Sequence, residues 1–297
     1  MSEHISLVIV PVDGSPTADA ATRHAVMLAR LLQASLQLLH VMPLNPPELS
    51  DLPANRQAEA DRDRSLRLEA AKNAFSRARQ VIAPSLKIAI DEVTLEDNTF
   101  IRHPARAIVE HARSHEACLL VIGARHLSEM GKFVEASVSN EVVHKAPCPV
   151  TVVHAEAAPE DIQHIGRVLL PVDGSRHSDS AAILAGDLAR SANAVVELLF
   201  CRPTGMPLQQ GDDATDEAEH IFSRARKVLG NVPAGIIEQV LAGERYAEAI
   251  IQQARRHEDY PVIVMGRRGL GTWREKLIGS VSHRVIDQAP CPVTVVV

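Results

Sequence analysis

LVIVPVDGS, Leu7 to Ser15, returns as RVLLPVDGS, Arg167 to Ser175. Three more stretches return in the same order: LQLLHV (Leu36 to Val41) as VELLFC (Val196 to Cys201), AFSRARQVI (Ala74 to Ile82) as IFSRARKVL (Ile221 to Leu229), and APCPVTVV (Ala146 to Val153) unchanged at Ala289 to Val296. Ordered self-similarity along a whole chain marks a duplicated unit rather than a shared short motif. The copies lie 160 residues apart at Asp13 and Asp173, 147 apart at Phe75 and Phe222, and 143 apart at Cys148 and Cys291. The first copy is therefore longer, by 13 residues between Val41 and Phe75 and by four beyond Arg79. The larger insertion contains PLNPPELSDLPANRQ, which is Pro-rich and polar and reads as a surface excursion. The spacing predicts one domain over 1–154, a polar linker over 155–165 and a second domain over 166–297.

Each copy alternates short apolar runs with segments of helical period. The runs are Ser6–Val12, Leu36–Val41, Ile88–Val93, Leu119–Ile122 and Val150–Val153, then Val168–Val172, Val195–Phe200, Ile236–Leu241, Val262–Met265 and Val293–Val297. Between the first two, Ala21, Ala25, Leu28, Ala29 and Leu32 share one helix face, and Ser15-Pro16 supplies an N-cap with proline after it. Strands apolar on both faces and separated by helices predict a parallel sheet covered on both sides. The fold class is α/β: two tandem doubly wound domains, each a five-stranded, mostly parallel sheet with helices on both faces. The last strands, CPVTVVH and CPVTVVV, are apolar edges that need covering, which predicts that the two copies pair there as an internal pseudo-dimer. A further homodimer is compatible with this arrangement.

Composition narrows the function. Hydrophobic residues make up 46% of the 297, aromatics only 3%, so the core is aliphatic. A net charge of −6 argues against a nucleic-acid surface, while leaving room for a local basic pocket. The four cysteines form neither a disulfide framework nor a zinc spacing, which suits a reducing cytoplasm. MSEHISLVIVPVDGS lacks the pattern of a signal peptide, and no apolar run approaches the ~18 residues that span a bilayer.

In a doubly wound sheet, ligands sit beyond the carboxyl ends of the strands where strand order reverses. In the second copy those ends hold Pro171 and Asp173, then Cys201, then MGRRGLGTWREKLIGS from Met265 to Ser280. Gly266, Gly269 and Gly271 allow close approach to the main chain, and Gly279-Ser280 opens a helix whose free N–H groups favour an anion. Arg267, Arg268, Arg274 and Lys276 add positive charge. Neither the P-loop nor the dinucleotide fingerprint is present. By themselves these residues suit either a polyphosphate cradle or a surface loop with ordinary turn glycines.

The chain resembles a tandem universal stress protein. PVDGS at a strand end, the duplicated APCPVTVV, and G-x-x-G followed nine residues later by G-[ST], matched by Gly266, Gly269, Gly279 and Ser280, carry the resemblance across both halves. It implies ATP in the second half, with magnesium accompanying the phosphates. It places Pro171 and Asp173 on the nucleoside side, the backbone around Cys201 at the adenine edge, and Gly266, Arg267, Gly269, Gly279, Ser280, Val281 and Ser282 around ribose and phosphates. The first half departs: Gly123 and Ser137 remain, but His126 and Ala136 stand where Gly269 and Gly279 do, with Glu129 and Glu135 nearby. Weak or absent ATP binding is expected there, and His126 is open to a different ligand.

Other residues have plainer readings. Asp13 reads as a helix-start residue. His111 and His115 read as solvated helix histidines, and Cys148 and Cys291 as buried packing groups. Trp273 suits a base, the loop or a partner. Three functions stay open: a nucleotide-dependent regulator of an unidentified protein partner; a slow ATPase, for which Asp173, Glu275 and His283 are the nearby groups; and a structural interaction module.

Overall fold

The computed structural model describes residues 4–43, 54–82, 88–97, 104–124, 138–159, 164–202, 213–243, 245–269 and 278–297. The first unit runs β1 (Leu7–Pro11), α1 (Pro16–Leu32), β2 (Ser35–Pro43), α2 (Ala54–Val81), β3 (Ile90–Asp97), α3 (Pro104–Arg113), β4 (Cys118–Ala124), α4 (Val138–Lys145) and β5 (Val150–His154). The second runs β6 (Arg167–Pro171), α5 (Arg176–Ala192), β7 (Val195–Arg202), α6 (Asp213–Leu229), β8 (Ile236–Ala242), α7 (Tyr246–Ala254), β9 (Pro261–Gly266), α8 (Ser280–Gln288) and β10 (Val293–Val296). All ten apolar runs are strands.

The strands form one sheet in the order β3-β2-β1-β4-β5-β10-β9-β6-β7-β8. Every neighbouring pair is parallel except β5 and β10, which are antiparallel. Within each unit strand order reverses between the first and fourth strands, which opens a crevice between the ends of β6 and β9 in the second unit. One face carries α1, α2, α5 and α6, the other α3, α4, α7 and α8, and each core layer runs through both units. At the seam Thr151 lies opposite Thr294, its own counterpart in the repeat, and their buried hydroxyls hydrogen-bond at 2.8 Å.

Helix starts follow the caps. Ser15 Oγ accepts from Ala18 N and Ser175 Oγ from Ser178 N, each at 3.2 Å. The repeated SRAR segments prove to be clamps. Arg77 binds Asp19 of α1 and Arg79 binds Glu92 of β3; Arg224 binds Asp179 of α5 and Arg226 binds Glu238 of β8. Two arginines, two positions apart, thus tie one helix to its helical neighbour and to the edge strand.

The insertion differs from its sequence reading. Residues 44–53 lie outside the described residues, but Ala54 to Gln57 already belong to α2, which has 28 residues against 17 in α6. Residues 54–67 contain no Gly or Pro and are rich in Ala and Arg, so helical propensity sustains the extension without an apolar stripe. The expected linker is not free chain either: Ala158 and Ile165 are buried in the core layer of α1 and α5, and Arg23 Nε donates to Ala158 O at 3.1 Å.

Buried His24 of α1 shares a 3.0 Å hydrogen bond with Tyr260 Oη, joining the two units. Burial holds the imidazole neutral and lowers its pKa from 6.5 to about 3. The unfolded chain takes up this proton below pH 6.5 and the folded chain does not, so stability is complete above that pH and falls as pH drops. From this residue the loss approaches about 1.4 kcal/mol per pH unit. Urea unfolding at pH 7.5 and pH 5 is expected to show the fall in the wild type and a shallower one in His24→Gln; equal slopes would assign the acid sensitivity elsewhere.

Candidate functional site

The crevice at the end of β6 is built on an aspartate turn. Asp173 Oδ1 accepts from Ser175 N at 3.0 Å, and Asp13 does the same for Ser15 at 2.9 Å. Both aspartates therefore have the structural role that the sequence assigned to Asp13. The second oxygen of Asp173 faces Gly269: a Cβ on that glycine would sit well inside 3.0 Å of Oδ2. The fold thus brings Asp173 and the glycine loop together across the point of strand reversal. Pro171 closes β6 opposite Leu199.

The two ends of the loop obey different constraints. A Cβ on Gly266 would lie 2.7 Å from His177 Cβ and 2.8 Å from its carbonyl carbon, because α5 crosses directly over the strand end. Gly123 meets Thr17 of α1 in the same way. These paired glycines are needed for helix-on-strand packing, so the survival of Gly123 in the first copy says nothing about a ligand. Gly279 has φ −69° and ψ 150°, and a Cβ there would meet nothing nearer than 3.5 Å. Alanine at that place is sterically acceptable, and the discriminating difference between the copies falls on Gly269 against His126. His126, Glu129, Glu135, Ala136 and Ser137 lie outside the described residues, as do Gly271, Trp273, Arg274, Glu275 and Lys276.

Helix α8 starts differently from α1 and α5. Gly279 is its N-cap and no side chain caps the first turn, so the N–H groups of Ser280, Val281 and Ser282 are presented without a side-chain acceptor. The start is fixed by Gly279 N donating to Arg267 O at 2.9 Å and by buried Ser282 Oγ donating to Gly266 O at 3.1 Å. Ser282 therefore anchors α8 to β9 through its side chain, Ser280 is exposed, and Val281 packs against the core layer of α7 and α8.

Cys201 stands near the end of β7, and burial pushes its thiol up to about 11, which suits no nucleophile. Its backbone is better placed. Leu199 O accepts from Val172 N at 2.9 Å, so the peptide groups of alternate residues, Cys201 included, are directed to the β6 side, past the last β6 pair.

Arg267 is not free to reach a ligand in the loop. Its side chain is buried and Nη2 donates to Ala146 O of the first unit at 2.6 Å, while its backbone N–H and carbonyl serve Val296 and Gly279. Burial, and then neighbouring Arg268, lower its pKa from the ordinary value. Arg268 is half-buried beside it. His144 of α4 reaches the same seam, 6.3 Å from the ring of His283, and burial followed by His283, Arg267 and Lys145 lowers its pKa. The sequence carried no signal for these contacts, since they join residues of different copies.

The histidines expected to be solvated are both engaged: His111 Nε2 lies 2.6 Å from Gln37 Oε1, and His115, beyond the end of α3, has Nδ1 3.0 Å from His111 O. No group of three potential metal ligands occurs among the described residues. Cys148 and Cys291 are buried, as expected. No helix among the described residues is long and apolar enough to cross a membrane.

The model of the universal stress protein family matches residues 5–154 and again 164–297. A universal stress protein of Mycolicibacterium smegmatis is 28% identical over 298 residues, covering 97% of this chain and 96% of the relative. One from Mycobacterium tuberculosis (strain ATCC 25618 / H37Rv) is 28% identical over 300 residues, covering 97% and 95%. The crystal structure of a universal stress protein from Archaeoglobus fulgidus DSM 4304 matches with a TM-score of 0.67 at 20% identity, covering 100% of this chain and 99% of that one, a likeness of fold.

The two glycines separate by experiment. Gly266→Ala is expected to lose about 1–3 kcal/mol of stability through overpacking against α5. Gly279→Ala is expected to lose at most about 1 kcal/mol, as a poorer N-cap. Urea unfolding of both variants measures the order; a reversed order would refute the assignment of Gly266 to packing.

Proposed function

The chain belongs to the universal stress protein family, and on that premise we propose that its second unit binds ATP and acts as a nucleotide-dependent regulator of a protein partner. The observation that carries this reading is the uncapped start of α8, set against the Gly269–Asp173 approach at the point where strand order reverses. Free N–H groups at a helix start favour phosphate oxygens. The peptide edge of Cys201 suits the adenine ring. Asp173 and phosphates carry charge of one sign, and a hydrated magnesium accompanying the phosphates would offset their repulsion. Arg267 would act through the position of its backbone, because its guanidinium is committed to Ala146.

Binding is favoured over hydrolysis. Of the groups that could orient water, Asp173 already uses Oδ1 on Ser175 N, leaving Oδ2 toward the loop, His283 Nδ1 lies 3.1 Å from Asp287, and Glu275 lies outside the described residues. Ordering of the loop by nucleotide would then change the surface offered to a partner.

Calorimetric titration of the nucleotide-free chain with ATP and magnesium is expected to give one site per chain. Gly269→Glu is expected to weaken binding at least about tenfold, a change of about 1.4 kcal/mol, with the melting temperature retained. Two equivalent sites would contradict confinement to the second unit, and unchanged affinity in Gly269→Glu would remove the site from this loop.

A further inference from the structure

Cys118 begins β4 and Cys148 lies two residues before β5, the parallel neighbour of β4. Leu120 N donates to Pro149 O at 3.0 Å, which holds the two segments together where the cysteines sit. Both are free and buried; Cys118 Sγ donates to Ala112 O at 3.5 Å, and the parallel register that sets Leu120 beside Val150 brings Cys118 alongside Cys148. The repeat does not require this pair. Cys291 is the counterpart of Cys148, but Pro261 stands where Cys118 would be. Cys118 and Cys148 are among the residues that line a cavity of about 240 Å³ at the seam, walled also by Ile5 and Leu184 and by Val296 at the end of β10. His4 and Glu116 are exposed at its edge. A water takes about 30 Å³, so a small hydroperoxide has room to enter.

We infer that Cys118 and Cys148 are an oxidisable dithiol, a modification site in the first unit whose substrate is a small hydroperoxide. Cys118 is the nucleophile: neighbouring Cys148 lowers its pKa, while Cys118 and burial raise that of Cys148. The Cys118 thiolate attacks the terminal peroxide oxygen, the O–O bond breaks, and the leaving oxygen takes up a proton to become water or an alcohol. Cys118 is thereby oxidised to a sulfenic acid. Cys148 sulfur then attacks the Cys118 sulfur, its proton leaves with the sulfenic hydroxyl as water, and a disulfide forms. One peroxide is reduced by two electrons and two thiols become one disulfide. The Cys148 turn includes Ala146, whose carbonyl holds Arg267, so the modification would sit beside the glycine loop of the second unit.

The test treats the reduced full-length protein with hydrogen peroxide and maps its peptides without reductant. The expected result is a Cys118–Cys148 cross-link that forms at least about tenfold faster than any oxidation of Cys291, which has no partner thiol opposite it. In Cys148→Ser the expected product is a Cys118 sulfenic acid captured by a cyclic 1,3-dione. Cys118 left reduced, or Cys118 and Cys291 oxidised at equal rates in the wild type, would overturn the assignment. The wild-type map decides the question without depending on how a variant folds. ATP binding does not enter the readout, so the result is separable from the nucleotide assignment.

Discussion

The antiparallel pairing of β5 with β10 is the contact on which the rest of the molecule depends. Among the described residues it is the one antiparallel strand pair, and it turns two five-stranded sheets into one of ten strands. It covers the apolar edge that each unit would otherwise expose. It also makes the two units point in opposite directions. The carboxyl ends of the second unit's strands, with the glycine loop, therefore lie beside the amino ends of the first unit's strands. Arg267 reaching Ala146, and Val296 closing a cavity around Cys118 and Cys148, follow from that one reversal.

The fold was legible because its signals are local and repeated. Ten apolar runs sufficed for ten strands, the Ser15 cap was visible in its residues, and the duplication told which stretches were equivalent. The long α2 was partly missed because its first half has helical propensity without an apolar face, and its proline-rich approach pointed to a loop.

The site was legible in its members but less so in their roles. Gly266 looked like a ligand glycine, yet α5 passes over it so closely that packing alone demands it. Arg267 looked like a phosphate ligand, yet its guanidinium is spent on the neighbouring unit. Asp173 looked like a ligand where Asp13 looked like a cap, yet both make the same turn. A motif records which residues meet at a place; whether each serves the ligand or the scaffold depends on what crosses overhead, and that is a tertiary fact.

Joining the two units in one chain has a consequence beyond the sheet. An interface between identical subunits must be self-complementary, so every change in it is made twice, whereas here each side of the seam answers only to a different partner. Thr151 and Thr294 still keep the old symmetry at the axis. Away from it, Arg267 and His144 have no equivalents across the axis and were free to arise singly. Because the linkage is covalent, the pairing is also independent of protein concentration. A cell that dilutes or depletes this protein changes how many copies it has, but not how its halves are assembled.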